Sequence, residues 1–290
     1  MGMAEADHSA SAPRRWAKPS LRARLWAKVP SPRWFRWLIY ALYEQRLRAR
    51  LANGPMPRHI GVVLDGNRRF AQLSEQTLAG GYRLGTKKVD ELLRWCDDLQ
   101  IRDVTIWTLS LDNLSRPSEE LDDLIQVVQE GLPHLRDMQK QLVRPRSIVA
   151  VGRREVLPPA LLRSVEEVER ETADNGPFRL HIALGYGGRE EIVDAVKGLL
   201  QAEAQRGGTL AEVAAQLTPQ SISQHLYLSS VPDPDLIIRT SGEIRLSGFM
   251  LWGSAYSEYY FCDALWPSFR RIDLLRAIRS YQLRKRRFGQ

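Results

Sequence analysis

From residue 58 onward, short apolar runs alternate with longer amphipathic stretches. His59–Leu64, Val104–Leu109, Ser147–Val151, Leu180–Leu184 and Leu236–Ile238 are near-continuous in Val, Ile and Leu. Runs of this kind predict strands covered on both faces. Between them, apolar positions recur at helical spacing over Tyr82–Leu99, Glu119–Gln141, Pro159–Asp174, Glu190–Gln205 and Phe269–Arg284. Strand–helix alternation predicts an α/β fold, a single domain with a mostly parallel central sheet flanked by helices. No internal repeat or low-complexity tract interrupts residues 58–290.

The pattern ahead of this body is different. Residues 1–33 are rich in Pro, Ser, Ala and Arg, which predicts little fixed structure. Residues 34–51 predict a helix, with Tyr40, Tyr43, Leu47 and Leu51 on one stripe and Arg36, Arg46, Arg48 and Arg50 around it. Asn53-Gly54-Pro55 breaks it. Its longest uncharged apolar run, Trp37 to Tyr43, is too short to span a bilayer or to serve as a signal peptide. Two readings stay open. The helix packs on its own domain, or it lies at a membrane interface with Trp and Tyr at headgroup level and Arg against anionic lipid.

Charge sharpens this division. Residues 1–57 hold 11 Lys or Arg against three acids, Glu5, Asp7 and Glu44, so the net charge of +8 belongs to this extension. The body is balanced, and no nucleic-acid-binding motif accompanies the basic segment, which argues against a nucleic-acid partner. Four of the eight tryptophans, Trp16, Trp26, Trp34 and Trp37, also fall in the extension. Cys96 and Cys262 are far apart and form neither a metal spacing nor a disulfide framework. That predicts buried free thiols in a reducing, cytoplasmic setting.

Candidate chemistry collects where predicted strands end. The first strand runs into Asp65-Gly66-Asn67-Arg68-Arg69-Phe70. Ligands bind outside the carboxyl ends of strands in open α/β sheets. Asp65 offers an oxygen to Mg²⁺, Gly66 allows close backbone approach, a helix start favours an anion, and Arg69 can grip phosphate oxygens. An Asp-Gly turn with arginines facing water would read the same way locally. The second strand ends in Ser110-Leu111-Asp112-Asn113-Leu114-Ser115-Arg116-Pro117, with Ser118 placed to cap the next helix. A third set, Arg239 with Arg245-Leu246-Ser247 beyond a Gly-bearing turn, suits a diphosphate. Glu258 is a lone acid in the aromatic run Tyr256 to Phe261, open to a ligand role or to an ion pair.

Together with Tyr186-Gly187-Gly188-Arg189, these segments fall in the order found in the cis-prenyltransferase (undecaprenyl diphosphate synthase) family, which the chain resembles from about His59 to Gly289. The resemblance implies an Mg²⁺-dependent transferase joining isopentenyl diphosphate to an allylic diphosphate. By it, Asp65 helps bind Mg²⁺ and helps the allylic diphosphate depart. Gly66, Asn67, Arg68 and Arg69 form the phosphate loop, with Phe70 beside the substrate. Ser110, Leu111, Asp112 and Asn113 line the reacting ends, Asn113 assists proton removal, and Arg116 faces the allylic diphosphate. Arg239, Arg245, Leu246 and Ser247 hold isopentenyl diphosphate. Glu258 completes the metal site from the partner subunit of a homodimer, and Arg287-Phe288-Gly289 resembles a family ending that reaches the neighbouring diphosphate.

Departures point to the product. Leu78 and Tyr82 stand where the family usually has Arg and His, Asp112-Asn113-Leu114 replaces Glu-Asn-Trp, Ile244 replaces His, and Leu184-Gly185-Tyr186 replaces an Asn-Tyr pair. These changes resemble short-chain actinobacterial members that make Z,E-farnesyl diphosphate, with Arg83 or Tyr82 open to compensate in the allylic site. Other readings are a long-chain polyprenyl diphosphate synthase, an irregular prenyl-coupling enzyme and a non-catalytic partner subunit. A phosphatase using Asp65 as nucleophile would want a second nearby Asp, which Gly66-Asn67 does not supply.

Overall fold

A computed structural model describes residues 33–284, with side chains from Leu38. The expectations for residues 1–32, including Trp16 and Trp26, and for Arg287-Phe288-Gly289 lie outside the described residues. The chain divides into two compact units, residues 1–45 and 46–290. Helix α1, Arg33–Leu51, begins in the first and ends in the second. Leu38, Ile39 and Leu42 are exposed in the first, and Leu47 and Leu51 are buried in the second.

The second unit carries a parallel sheet of six strands in the order β3-β4-β2-β1-β5-β6. These are β1 His59–Val63, β2 Asp103–Ser110, β3 Arg146–Val151, β4 Phe178–Tyr186, β5 Leu236–Arg239 and β6 Glu258–Phe261. Every residue of β1 and β5 is buried, as strands with helices on both faces require. The helices are α2 Asn67–Leu73, α3 Leu78–Asp98, α4 Ser118–Gln139, α5 Pro159–Thr172, α6 Gly188–Gln205, α7 Leu210–Gln216, α8 Pro219–Ser223 and α9 Arg271–Leu283. The expected fold class is therefore the observed one. Cys96 and Cys262 are free and buried, and burial pushes the Cys96 thiol up to about 12.

Three elements escaped the sequence pattern. Strand β6 is a half-buried edge strand of four residues, too short and too aromatic to show as an apolar run. Helices α7 and α8 are short but carry legible signals, capping boxes at Thr209/Glu212 and Thr218/Ser221. Ser118 is not the cap expected of it: α4 starts on it, Pro117 takes the cap position, and no side chain caps the end.

Parallel pairing brings the carboxyl ends of β1, β2 and β5 to one edge, with Val63 beside both Trp107 and Arg239. Gly66 then turns the chain at φ +105°. A Cβ there would lie 2.9 Å from the Leu265 side chain and 3.1 Å from Ser241 Cβ, so the position needs glycine for conformation and for space. This local packing, rather than close approach to a phosphate, is what the structure demonstrates for Gly66. In α3, a Cβ on Gly85 would meet Asn67 Oδ1 at 2.3 Å, so glycine lets α3 lie directly against the loop after β1.

Candidate active site

A cavity of about 600 Å³ opens at this edge. Its mouth is lined by Asp65, Gly66, Asn67, Arg68, Arg69, Ser110, Asp112, Asn113, Arg116, Arg239, Arg245 and Ser247. Its inner part is lined by Ile106, Thr108 and Ile182 of the sheet, Val89 of α3, and Leu124, Val127, Val128, Leu132 and Leu135 of α4. One end is charged and the other apolar. A ligand with a polyanionic head and a hydrocarbon tail matches that division.

The charged groups form a connected set. Arg239 is 5% exposed, and its guanidinium donates to Asp65 Oδ2 at 2.9 Å, Ser247 Oγ at 2.5 Å and the Arg245 carbonyl at 2.7 Å. A buried guanidinium needs such partners. Arg69 approaches Asp65 Oδ1 at 4.0 Å and Glu243 at 3.2 Å, and Glu243 also pairs with Arg245. Arg245 is 60% exposed and donates from Nε to Ser247 Oγ at 3.2 Å. Thr240 Oγ1 donates to the Asp65 carbonyl at 2.7 Å, tying the loop after β5 to the loop after β1.

A second knot lies across the mouth. Arg116 donates from Nη1 to Tyr82 Oη at 2.9 Å and to Glu120 at 2.8 Å, and Arg68 lies 3.3 Å from the same Glu120 oxygen. Tyr82 is buried, and desolvation holds its phenol above the usual range. Of the two residues expected to compensate for the missing family Arg and His, Tyr82 lines the cavity, whereas exposed Arg83 pairs with Glu130 at 3.3 Å. Ser110 and Asn113 form a reciprocal cap: Asn113 Nα–H donates to Ser110 Oγ at 3.1 Å, and Ser110 Nα–H donates to Asn113 Oδ1 at 3.0 Å. One lone pair of the Asn113 oxygen is thereby used and the other remains.

Other expected residues stand apart. Phe70, Leu111 and Leu246 do not line the cavity, and Leu246 is exposed. Glu258 begins β6 beside Leu236, at the opposite end of β5 from Arg239, and pairs with Arg284 in its own chain. The loop that carries Asp65 follows Val63, which sits beside Arg239 at the other end of β5. Sequence reasoning missed Glu120 and Glu243. Both follow an arginine-bearing segment within four residues, and only folding shows that each holds two arginines. It also missed that Thr108 is the extra residue in a register shift between β2 and β4, a bulge on a cavity-lining strand.

The undecaprenyl diphosphate synthase family model matches residues 63–289. An isoprenyl transferase of Thermus thermophilus is 51% identical over 252 residues, 87% of this chain and 96% of that protein. A (2Z,6E)-farnesyl diphosphate synthase of Thermobifida fusca is 48% identical over 252 residues, 87% of this chain and 97% of its own. Among solved structures, lavandulyl diphosphate synthase from Lavandula x intermedia, in complex with dimethylallyl diphosphate, superposes with a TM-score of 0.75 at 31% identity. That match covers 81% of this chain and 99% of that one.

Proposed function

Because the chain belongs to the undecaprenyl diphosphate synthase family and is a cis-prenyltransferase, we propose that its cavity joins isopentenyl diphosphate to an allylic diphosphate and releases a short Z product, Z,E-farnesyl diphosphate. The observation that carries this reading is the cavity itself, five arginines and Asp65 at the mouth and an apolar interior behind. The 48% identity to a protein named (2Z,6E)-farnesyl diphosphate synthase supports the product.

In this reading Arg239, Arg245 and Ser247 hold isopentenyl diphosphate, and the loop from Gly66 to Arg69, with Arg116 and Tyr82, holds the allylic diphosphate. Among the described residues no cluster of three or more His, Cys, Asp or Glu could hold a metal. Asp65 nevertheless fits Mg²⁺, which commonly takes one or two carboxylates together with substrate phosphates. Bound there, it would neutralise charge on the departing diphosphate. The arginines add fixed electrostatic stabilisation of the same charge. The allylic C–O bond breaks, the double bond of isopentenyl diphosphate attacks the allylic carbon, and the C2 proton passes to the departing diphosphate. The remaining lone pair of Asn113 Oδ1 assists that loss, while the apolar interior keeps water from the cation.

The test is incubation with isopentenyl diphosphate, Mg²⁺ and each of dimethylallyl, geranyl and farnesyl diphosphate, with product sizing. A C15 product from geranyl diphosphate is expected; a C50–C55 product would make the chain a long-chain synthase. The likeness to lavandulyl diphosphate synthase favours a second reading, irregular coupling. Dimethylallyl diphosphate supplied alone tests it.

Three further expectations belong to this proposal. Residues 58–290 act as the catalytic domain in a homodimer, in which Glu258 of one copy serves Asp65 of the other. Mixing Asp65→Ala and Glu258→Ala subunits is then expected to restore activity that neither has alone. Residues 1–57 hold the enzyme at the inner face of the membrane from the cytoplasm. No helix among the described residues is long and apolar enough to cross a membrane. Exposed Leu38, Ile39 and Leu42 of the first unit suit peripheral contact instead. Salt-sensitive sedimentation with anionic vesicles, lost on removing residues 1–57, checks this.

A further inference from the structure

The charges at the mouth close into a ring. Asp65 accepts from Arg239, Arg239 donates to Ser247, Arg245 donates to Ser247, Glu243 pairs with Arg245, and Arg69 lies between Glu243 and Asp65. Glu243 has one carboxylate oxygen on each of two arginines: Oε1 lies 3.2 Å from Arg69 Nη2, and Oε2 takes Arg245 Nη1. Those arginines arrive from different parts of the chain, Arg69 from the first turn of α2 and Arg245 from the loop after β5. In the reading above they belong to different diphosphates. Glu243 is 30% exposed and lines the cavity, so a phosphate oxygen entering the mouth meets the guanidinium faces it occupies.

We propose that Glu243 is a built-in counter-anion that competes for both diphosphate half-sites and couples their filling. It accepts hydrogen bonds where phosphate oxygens will accept them, and it offsets the mutual repulsion of Arg69 and Arg245 until substrate arrives. A carboxylate held by two cations at once is held more tightly than by either, because release from one leaves it tethered beside the other. A diphosphate that takes Arg245 removes one of the two anchors. Arg69 is then freed more easily for the second diphosphate, and linkage makes the effect reciprocal. Glu243 touches no reacting atom; it sets the order and cooperativity with which the charges are exchanged.

The inference rests on the two-diphosphate reading of the cavity, and the experiment separates the two. Inorganic pyrophosphate is titrated calorimetrically into the full-length protein and into Glu243→Gln. Binding roughly fivefold or more tighter in Glu243→Gln is expected, since an internal competitor is gone. The affinity for an unreactive allylic thiolodiphosphate is then measured with and without saturating isopentenyl diphosphate. The ratio of the two affinities is expected to be about fivefold or more larger in the wild type than in Glu243→Gln. Glu243→Asp keeps the charge but is one methylene short of bridging both arginines, so it is expected to lose that ratio too. A residue that merely aligns the arginines would give weaker pyrophosphate binding on substitution and an unchanged ratio, and either result overturns the inference. If the wild type binds no pyrophosphate, the two-diphosphate reading falls and takes this inference with it.

Discussion

Arg239 and Arg245 look equivalent in the sequence, as two arginines near one glycine turn, and the structure makes them unequal. Replacing Arg239 by alanine removes a guanidinium that is 5% exposed and strips partners from Asp65, Ser247 and the Arg245 carbonyl. Breaking one side of a buried ion pair costs about 3–5 kcal/mol when the other charge stays dry. Asp65 is 30% exposed and keeps Arg69 at 4.0 Å, so water and that neighbour recover part of the loss. About 2–3 kcal/mol of stability should go, which for a domain of this size lowers Tm by about 5–10 °C. Arg245→Ala removes a side chain that is 60% exposed and should change stability by less than about 0.5 kcal/mol. Kinetically, both should raise KM for isopentenyl diphosphate roughly 10- to 100-fold, the worth of one charge-assisted contact. Only Arg239→Ala should also lower kcat, by about tenfold or more, because Asp65 loses the group that orients it. Two-substrate steady-state kinetics beside thermal melts of both variants make the comparison. Identical melts and identical kcat values for the two would refute the reasoning that burial of Arg239 couples the isopentenyl site to Asp65.

Asp65→Ala should lower turnover by roughly 10³-fold or more and should also lower the melt, because the buried Arg239 guanidinium loses its carboxylate; activity near wild type in this variant and after EDTA would remove the carboxylate-metal step. Thr108 lines the inner cavity with a stiff β-branched side chain whose hydroxyl finds no partner among the described residues, so Thr108→Ala should lengthen the products and Thr108→Leu should hold them at the minimum. Chromatographic sizing with an unchanged distribution at normal activity would place the length limit elsewhere. Stability should fall in mild acid because burial pushes His181 down to about 3, aided by neighbouring His59 and the Arg179 charge, and burial also lowers His59. His181 is neutral in the folded state and gains a proton on unfolding below pH 6.5, so stability present above pH 6.5 is lost as pH falls toward 3, by up to about 1.4 kcal/mol per pH unit, and His59 acts in the same direction. Urea midpoints at pH 7.5, 6.5 and 5.5 should show this slope, shallower in His181→Leu; an equal slope in that variant would exclude His181 as its source.

The alternation of apolar runs and helical stretches was enough to determine the α/β class, because strands covered on both faces cannot be polar on either. Motif order placed Asp65, Asn67, Arg69, Ser110, Asn113, Arg116, Arg239, Arg245 and Ser247 at strand ends, and parallel pairing then gathers all of them at one mouth. Strand β6 was illegible because an edge strand needs no apolar run, and Ser118 misled because a proline can take the cap position and leave the serine inside the helix. Pair identity was also beyond the sequence. Charge tells which residues seek a partner, but distance and burial decide which one they find. Thus Glu243 bridges Arg69 and Arg245, Glu120 gathers Arg68 and Arg116, and Glu258 pairs with Arg284 far from Asp65. Coulomb attraction between side chains falls off within a few ångströms in water, so contacts separated by up to 174 residues exist only once the sheet has set the loops side by side.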